Sequence, residues 1–444
     1  MNMLHGWQKI SALMLVSTLL LAATSFSAVL PKIASNLGVI ICIPIAILCL
    51  SKESCKKQTL WYAVGMFTVC IPPLVNLVDT PQLLEAMGRF APVMCLLAGV
   101  SIFRHSMTRS GLSSLVSSRL VKPPAGPLNT ARVALATMVL TLFTSLGAIS
   151  LIGTVCGPQV KNRLSISRIT MRSLCASMFI LPTTVASASI AAAIPQLDTG
   201  SVLLVGTPLA LFIVAGSLTP RLEIADIGGG SRIIGKFKPF LLVAVMAASG
   251  TFIYVMTRNL TWSFAFAMMI GYCIESVVLA GGKVAQTVAK EVPKSIDGIA
   301  PELLLLAASS LLIFTIGHFD LATHLPNSVR AWLGNPYVIA VLLISVLPVV
   351  TILGVHPMIL FGIFFPLVDS SVLGPTYIQY LAWTSMFVMS NLMSPVSICA
   401  ILAATSLHVS SRDTSYMSNW RFCTIGMMII YVYLLTLFGF RQNG

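Results

Sequence analysis

Charged residues are scarce in this chain of 444 residues. Only 9% of the residues are Asp, Glu, Lys or Arg, whereas 57% are hydrophobic, and the mean hydropathy is +0.93. A water-soluble fold of this length has no interior large enough to hold so much apolar surface. Many apolar runs reach the ~20 residues that a helix needs to cross a bilayer. We therefore expect an all-α integral membrane protein.

Acidic side chains are the scarcest charged group, with 13 Asp and Glu against 27 Lys and Arg and a net charge of +14. The basic residues lie in short stretches between apolar runs and form no single face. This distribution is typical of the signals that orient membrane helices, and it argues against a nucleic-acid partner.

Catalytic motifs are also missing. The sequence has no Walker motif, no HExxH, no GxSxG and no His/Cys cluster with metal-ligand spacing. None of its ten cysteines pair as CxxC, and most fall inside apolar runs, so they read as small buried residues. We expect no enzyme, no metal site and no cofactor; Na⁺ is the one ion for which suitable neutral oxygens are present.

The second half of the chain repeats the first after 207 to 209 residues. Ala91-Pro92 returns as Ala300-Pro301, Thr144 and Gly147 return as Thr351 and Gly354, Ser177-Met178-Phe179 returns as Ser385-Met386-Phe387, and Ser189-Ile190 returns as Ser397-Ile398. One order and one offset are kept across most of each half. Two related halves are the usual plan of a secondary transporter, whose site lies where the halves meet.

Basic residues decide how two further apolar stretches, about 131–158 and 337–366, enter the membrane. Both flanks of the first stretch are basic and both flanks of the second are poor in basic residues. If each stretch is a re-entrant hairpin, the chain has about 11 transmembrane helices, with the N-terminus cytoplasmic and the C-terminus outside. This arrangement satisfies the positive-inside rule throughout. Five spans in each repeat give the two repeats opposite orientation.

These arguments predict a domain order. The run 10–30 is long enough to span, so we expect it to remain as an uncleaved first helix. The predicted segments are a leading transmembrane helix (1–32), a first inverted repeat (33–219) with an arm (105–130), a hairpin (131–160) and a broken helix (167–195), a cytoplasmic linker (220–238), and a second inverted repeat (239–444) with an arm (317–336), a hairpin (337–366) and a broken helix (374–404).

Polar residues at the hairpin tips and helix breaks are the candidate binding groups. Half-helix N-termini attract anions, and unwound carbonyls with Ser, Thr or Asn oxygens suit Na⁺. Hydroxyls in membrane helices also commonly bond their own backbone, which is the alternative for the Ser and Thr residues. The candidates are Thr144, Ser145, Gly147, Thr183, Thr184, Ser187, Ser189, Gly354, His356, Asn391, Ser394 and Ser397.

Two titratable residues are candidates for proton coupling. His356 lies at the predicted tip of the second hairpin, where it could bind substrate, carry a proton or remain a neutral imidazole. Glu302 lies near the outer end of its span and could carry a proton. It could equally be an acid that the helix dipole favours beside Pro301.

The arrangement resembles the ion transporter superfamily, which includes divalent anion/sodium symporters and the membrane subunits of tripartite periplasmic carriers. The resemblance covers nearly the whole chain: one leading helix, then two inverted repeats, each with an arm, a hairpin and a broken span. It implies an elevator mechanism and a scaffold that forms a homodimer. The symporters' Ser-Asn-Thr signature is absent from both tips, and its nearest match is Ser390-Asn391-Leu392. The resemblance therefore predicts architecture rather than a substrate.

Together these features predict a secondary active transporter in a bacterial inner membrane. We expect it to move a small organic anion by elevator-type alternating access coupled to Na⁺ or H⁺. The alternatives are a cation/proton antiporter or an exporter of the same architecture, a channel, and, in a different class, a membrane-embedded lipid-carrier protein or enzyme. Few carboxylates lie in the spans, which disfavours the cation antiporter.

Overall fold

The computed structural model describes residues 57–103, 127–219, 245–280 and 300–442, apart from short gaps within the first three ranges. The predicted leading helix (1–32), most of the first arm (105–130) and the linker (220–238) lie outside the described residues. By internal contacts the chain divides into two compact units. One comprises Met1–Leu112 and Ile234–Phe319, and the other comprises Ser113–Ile233 and Asp320–Gly444.

Every secondary-structure element of the described residues is helical. The α-helices are α1 (Lys57–Val75), α2 (Pro127–Thr144), α3 (Gly147–Cys156), α4 (Arg163–Met178), α5 (Val185–Ala193), α6 (Thr199–Ser217), α7 (Leu260–Ala280), α8 (Ala300–His318), α9 (Asn327–Leu333), α10 (Pro336–Val341), α11 (Leu347–Ile352), α12 (Pro357–Leu367), α13 (Thr376–Met393), α14 (Ile398–Leu407), α15 (Ser411–Thr414) and α16 (Tyr416–Gln442). A π-helical turn (Leu342–Val346) joins α10 to α11, and a 3₁₀ turn (Ser370–Leu373) follows α12.

Three stretches of the described residues are long and apolar enough to cross a membrane: Thr199–Ser217, Thr376–Leu407 and Ser411–Phe438. A fourth is the pair Asn327–Leu333 and Pro336–Ile352, which bends by 75° at its break. Many of the large apolar side chains on α6 and α16 point outward, as expected of helices that face lipid. The chain is therefore an integral membrane protein with an all-helical described fold, and the total of eleven spans remains a prediction.

The first unit contains α1, α7 and α8. Helix α1 packs against α8, whose leucines and alanines are buried almost all round the helix. The Ser310 hydroxyl donates a hydrogen bond of 2.5 Å to the carbonyl of Ala86. Glu302 lies in the first turn of α8, and its side chain is outside the described residues.

The second unit contains both apolar stretches for which hairpins are predicted. In the first, α2 ends at Thr144, α3 begins at Gly147, and the two helices pack against each other. In the second, α10, the π-helical turn and α11 lead to a turn at Leu353–His356, where Gly354 has a φ of +94°. Helix α12 then returns, and the 3₁₀ turn after it contacts α10 at the start of the stretch. Both ends of this stretch therefore lie close together.

The two broken helices also belong to the second unit. Helices α4 and α5 are separated by Phe179–Thr184, and helices α13 and α14 by Ser394–Ser397. Each break contains a proline, Pro182 or Pro395, which has no N–H for the helical ladder. The second break is shorter than the sequence predicts, because Ser390 to Met393 stay helical. Ser394 takes an extended conformation (φ −79°, ψ 124°), as steric conflict with a following proline requires.

Arg172 is buried in α4 and connects three helices of the second unit. Its guanidinium donates to Asn419 Oδ1 at 3.0 Å, to the Gly216 carbonyl at 2.7 Å and to Thr219 Oγ1 at 3.1 Å. It also lies 4.3 Å from the centre of the Phe422 ring. The carbonyl end of α6 thus helps to stabilise a buried positive charge.

Candidate functional site

The first break ends in a capping box at the start of α5. The Thr184 side chain accepts a hydrogen bond from the Ser187 N–H at 3.3 Å, and Ser187 Oγ accepts one from the Thr184 N–H at 3.1 Å. The N–H groups of Val185 and Ala186 follow the cap and have no acceptor among the described residues. They leave two donors and the positive end of a helix dipole at this point.

The second break ends in a similar way at the start of α14. Ser397 Oγ accepts a hydrogen bond from the Ala400 N–H at 3.2 Å and donates one to the Asn391 carbonyl at 3.0 Å. The N–H of Ile398 has no acceptor among the described residues. The side-chain amide of Asn391, which is 8% exposed, likewise has no hydrogen-bond partner there.

His356 caps the returning helix of the second hairpin. Its Nδ1 accepts a hydrogen bond from the Met358 N–H at 3.2 Å, so in this arrangement the ring proton is carried by Nε2. Pro357 has no N–H, and the Ile359 N–H donates to the His356 carbonyl. Helix α12 therefore keeps no free donor in its first turn. The Nε2–H of His356 has no partner among the described residues, although the residue is only 5% exposed.

These three helix starts meet at one cavity within the second unit. Its empty volume is about 370 Å³ when the part open to solvent is included. The lining residues are Leu146, Met178, Thr184, Val185, Ala186, His356, Pro357, Met358, Phe387, Asn391, Ile398 and Cys399. The wall is thus mostly apolar, with a few polar groups at fixed points, which is the usual composition of a small-molecule site.

The crossing of the broken helices holds this cavity in shape. The hydroxyl of the buried Tyr380, on α13, donates a hydrogen bond of 2.7 Å to the Met178 carbonyl at the end of α4. Gly206 on α6 packs against the same break so closely that a Cβ there would lie 1.9 Å from the Phe179 carbonyl oxygen. Both contacts fix where α4 stops and the break begins.

The predicted site residues divide into those that line the cavity and those that shape its walls. Thr184, His356 and Asn391 line it. Ser187, Ser394 and Ser397 make local turn and cap hydrogen bonds, and Ser189 donates to the Val185 carbonyl at 2.8 Å. These serines follow the structural alternative, in which hydroxyls bond nearby backbone.

The other predicted site residues are not among the residues that line the cavity. Thr183 is buried next to Thr184, and its hydroxyl has no hydrogen-bond partner among the described residues. Gly354 forms the turn of the second hairpin, and Gly147 begins α3. Thr144 ends α2, but its side chain lies outside the described residues, as does all of Ser145. Glu302 belongs to the first unit.

Sequence reasoning missed the apolar wall and the free N–H donors. Met178 and Phe387 are ordinary residues in apolar runs, and no sequence signal marks them as lining residues. Val185 and Ile398 could have been found, because each directly follows a capping residue next to a proline-containing break. Among the described residues, no group of three His, Cys, Asp or Glu is placed to hold a metal ion.

No family model and no curated protein matches the sequence. Among solved structures, the fold is similar to that of the Alcanivorax borkumensis YdaH transporter, whose crystal structure is described as revealing an unusual topology. The TM-score is 0.53 and the sequence identity 13%, and the match covers 92% of this chain and 98% of the other. At this identity the similarity shows the fold: this chain has a helical architecture that a membrane transporter also uses.

Proposed function

We propose that this protein is a secondary active transporter that moves a small organic anion across the membrane by alternating access. The observation that carries the proposal is the cavity where N–H donors of α5 and α14 meet polar groups of His356 and Asn391, all of them without a partner among the residues that the structure describes. A fold similar to that of a known transporter supports the same class. Discontinuous helices that present their N-termini to a substrate are a recurrent device of such proteins.

An anion suits this cavity because every free polar group identified there can donate a hydrogen bond. The N–H groups of Val185, Ala186 and Ile398 and the Nε2–H of His356 are donors, and the Asn391 amide can donate too. No Asp or Glu is among the described lining residues, so a cation would find no compensating charge from them. This is the reason to prefer an organic anion over the cation substrate of an antiporter.

Na⁺ is the preferred coupling ion, and H⁺ is the alternative. A proton added to His356 would occupy Nδ1, which accepts the Met358 N–H, so protonation would break the cap of α12. A Na⁺ ion needs neutral oxygens, and the buried Thr183 hydroxyl, which has no partner among the described residues, is one that fits. Thr183 would supply one ligand, and the carbonyls freed at the break would supply others.

The proposed mechanism is an elevator. Both hairpin stretches and both broken helices belong to the second unit, so the cavity and its walls could move as one body. The first unit would then be the scaffold, through which the protein would form a homodimer. Placement in a bacterial inner membrane, a cytoplasmic N-terminus and an outer C-terminus are parts of the same proposal, as are the two re-entrant hairpins and the inverted repeats of the ion transporter superfamily.

Vesicles that contain the purified protein test the proposal. Radiolabelled small organic anions are offered under an imposed Na⁺ gradient or an imposed pH gradient, and accumulation above equilibrium is measured. We expect accumulation of an anion with the Na⁺ gradient and its loss in Asn391→Ala. If a pH gradient alone drives accumulation and His356→Gln abolishes it, the coupling ion is H⁺ and not Na⁺.

Two further substitutions, with one control, test the charge of the substrate and the Na⁺ site. Asn391→Asp has the same size as the native residue but adds a negative charge, so it should impair anion uptake more than Asn391→Ala does. Thr183→Ala should reduce the dependence on Na⁺, whereas Thr405→Ala, which removes an exposed hydroxyl bonded to its own helix, should transport like the wild type. If the protein takes up a cation and Asn391→Asp enhances that uptake, anion transport is contradicted. If no solute moves at all, a lipid-carrier protein or an enzyme is favoured.

A further inference from the structure

We infer that the substrate is a monocarboxylate with a short apolar body, rather than a dicarboxylate, a phosphate ester or an amino acid. This inference rests on the proposed transport function and concerns the same cavity. It follows from three features of the described lining residues: the amount of positive potential, the absence of charged side chains and the chemistry of the wall.

The positive potential in the cavity matches about one negative charge. Each helix N-terminus carries about half an elementary charge, so the N-termini of α5 and α14 together supply roughly one. Both helices exceed eight residues and both keep free N–H groups, at Val185, Ala186 and Ile398. The first turn of α12 offers no free N–H, because Pro357 lacks one and His356 takes the next two.

Two side chains without a hydrogen-bond partner in the described part of the chain, each more than nine-tenths buried, complete the carboxylate site. His356 Nε2–H and the Asn391 amide come from two different elements that line the cavity, the turn before α12 and the last turn of α13. A carboxylate has two oxygens with about four acceptor positions, and these donors together with the free N–H groups are enough to fill them. A buried polar group without a partner is costly, so a ligand that satisfies both side chains gains affinity from each.

The lining residues that the structure describes include no Lys or Arg for a second anionic group and no Asp or Glu for an ammonium group. A dicarboxylate would therefore bury a second charge without a partner, and an amino acid would bury an unpaired cation; both costs are large. The larger apolar side chains of the wall include Leu146, Met178, Val185, Met358 and Phe387. These side chains suit an alkyl or aryl body, and the methionines can adapt to its shape.

Binding to the purified full-length protein in lipid nanodiscs tests this inference. The probes are straight-chain monocarboxylates of two to six carbons, the dicarboxylates of the same chain lengths and the corresponding neutral amides. Pentanoate, glutarate and pentanamide form one matched set. Affinity is measured by thermal shift and by protection of Cys399, which lines the cavity, against a thiol reagent. We expect the best monocarboxylate to bind at least about tenfold more tightly than its dicarboxylate and its amide.

His356→Asn separates the binding role of His356 from its capping role. Asn is itself a preferred N-cap and should keep the start of α12, but it is too short to place the distal donor of the imidazole. We expect about a tenfold loss of monocarboxylate affinity with the thermal stability of the ligand-free protein retained. Equal affinity of His356→Asn and the wild type would overturn the role of Nε2–H.

The outcomes also distinguish this inference from the proposed function. A dicarboxylate that binds as tightly as the matched monocarboxylate, and that accumulates in vesicles, overturns the inference and leaves anion transport standing. If no member of the three series binds and no organic anion accumulates in vesicles, both fall. Tight monocarboxylate binding with gradient-driven accumulation supports both.

Discussion

The substitution Gly206→Ala tests whether close packing at the first break shapes the cavity. A Cβ at this position would lie 1.9 Å from the oxygen and 2.9 Å from the carbon of the Phe179 carbonyl, both backbone atoms. Ordinary contacts between carbon and such atoms are above 3 Å, so α6 or the break must move by more than 1 Å. Overpacking of a rigid core costs about 1–3 kcal/mol, and a backbone obstacle belongs at the upper end of that range.

Gly65→Ala provides the matched control, because its Cβ would meet nothing within 4 Å and it also lies inside a helix. There the substitution should be neutral or stabilise by up to about 1 kcal/mol, through the better helix propensity of Ala. Equilibrium unfolding in mixed micelles gives both free energies of unfolding, and the reaction rate of Cys399 with a thiol reagent reports the shape of the cavity. If Gly206→Ala matched the wild type in stability and in Cys399 reactivity, the close approach of α6 to the break would be refuted.

Three further predictions concern stability; the first two are read from equilibrium unfolding and the third from amide hydrogen exchange. Tyr380→Phe leaves the Met178 carbonyl without its donor and should lower the free energy of unfolding by about 1–3 kcal/mol. The control Tyr337→Phe changes an exposed ring and should lower it by less than about 0.5 kcal/mol. Equal effects of the two substitutions would contradict the hydrogen bond between the broken helices. Arg172→Lys keeps the charge but loses the planar guanidinium with its several N–H donors, so the free energy of unfolding should fall by roughly 1–3 kcal/mol. The same change at the exposed Arg412 should have little effect on it. Hydrogen bonds from Ser201 and Gly200 hold the pKa of Asp198 below its usual range. A depressed pKa means that this cap stabilises α6 above the unfolded-state pKa and is lost as the pH falls through the lowered value. Protection of the amides at the start of α6 against exchange, relative to an unfolded peptide at the same pH, should therefore fall only on the acid side of the ordinary aspartate pKa in the wild type and should show no such transition in Asp198→Asn.

The helix breaks could be predicted from the sequence because proline has a local and strong effect. Pro182 and Pro395 each interrupt an apolar run, and the structure places non-helical backbone at both. The lengths of the breaks could not be predicted as well from the sequence. Ser390 to Met393 look like break residues in the sequence, yet they remain helical because tertiary packing buries all four on α13.

The candidate site was only partly predictable, because the same residue types serve both binding and capping. Asn391 and His356 stand out in the sequence and do line the cavity, whereas the hydroxyls of Ser187 and Ser397 make the hydrogen bonds of helix caps. The repeat register pairs Ser189 with Ser397, but in the structure Thr184 and Ser397 are the two residues that cap the second half-helices. The free N–H donors are backbone groups, so they become visible only when the helix ends are known.

In the proposed mechanism the cavity lies on the path of a transported anion and opens to each side of the membrane in turn. The most direct measurement uses Cys399 as the single cysteine of a functional variant in sealed vesicles of known orientation. A membrane-impermeant thiol reagent is applied to one side or to the other, with and without an anion that the vesicle assay shows to be transported. We expect modification from both sides and slower modification from both when the anion is present. Modification from one side only, or rates that the transported anion leaves unchanged, would contradict it.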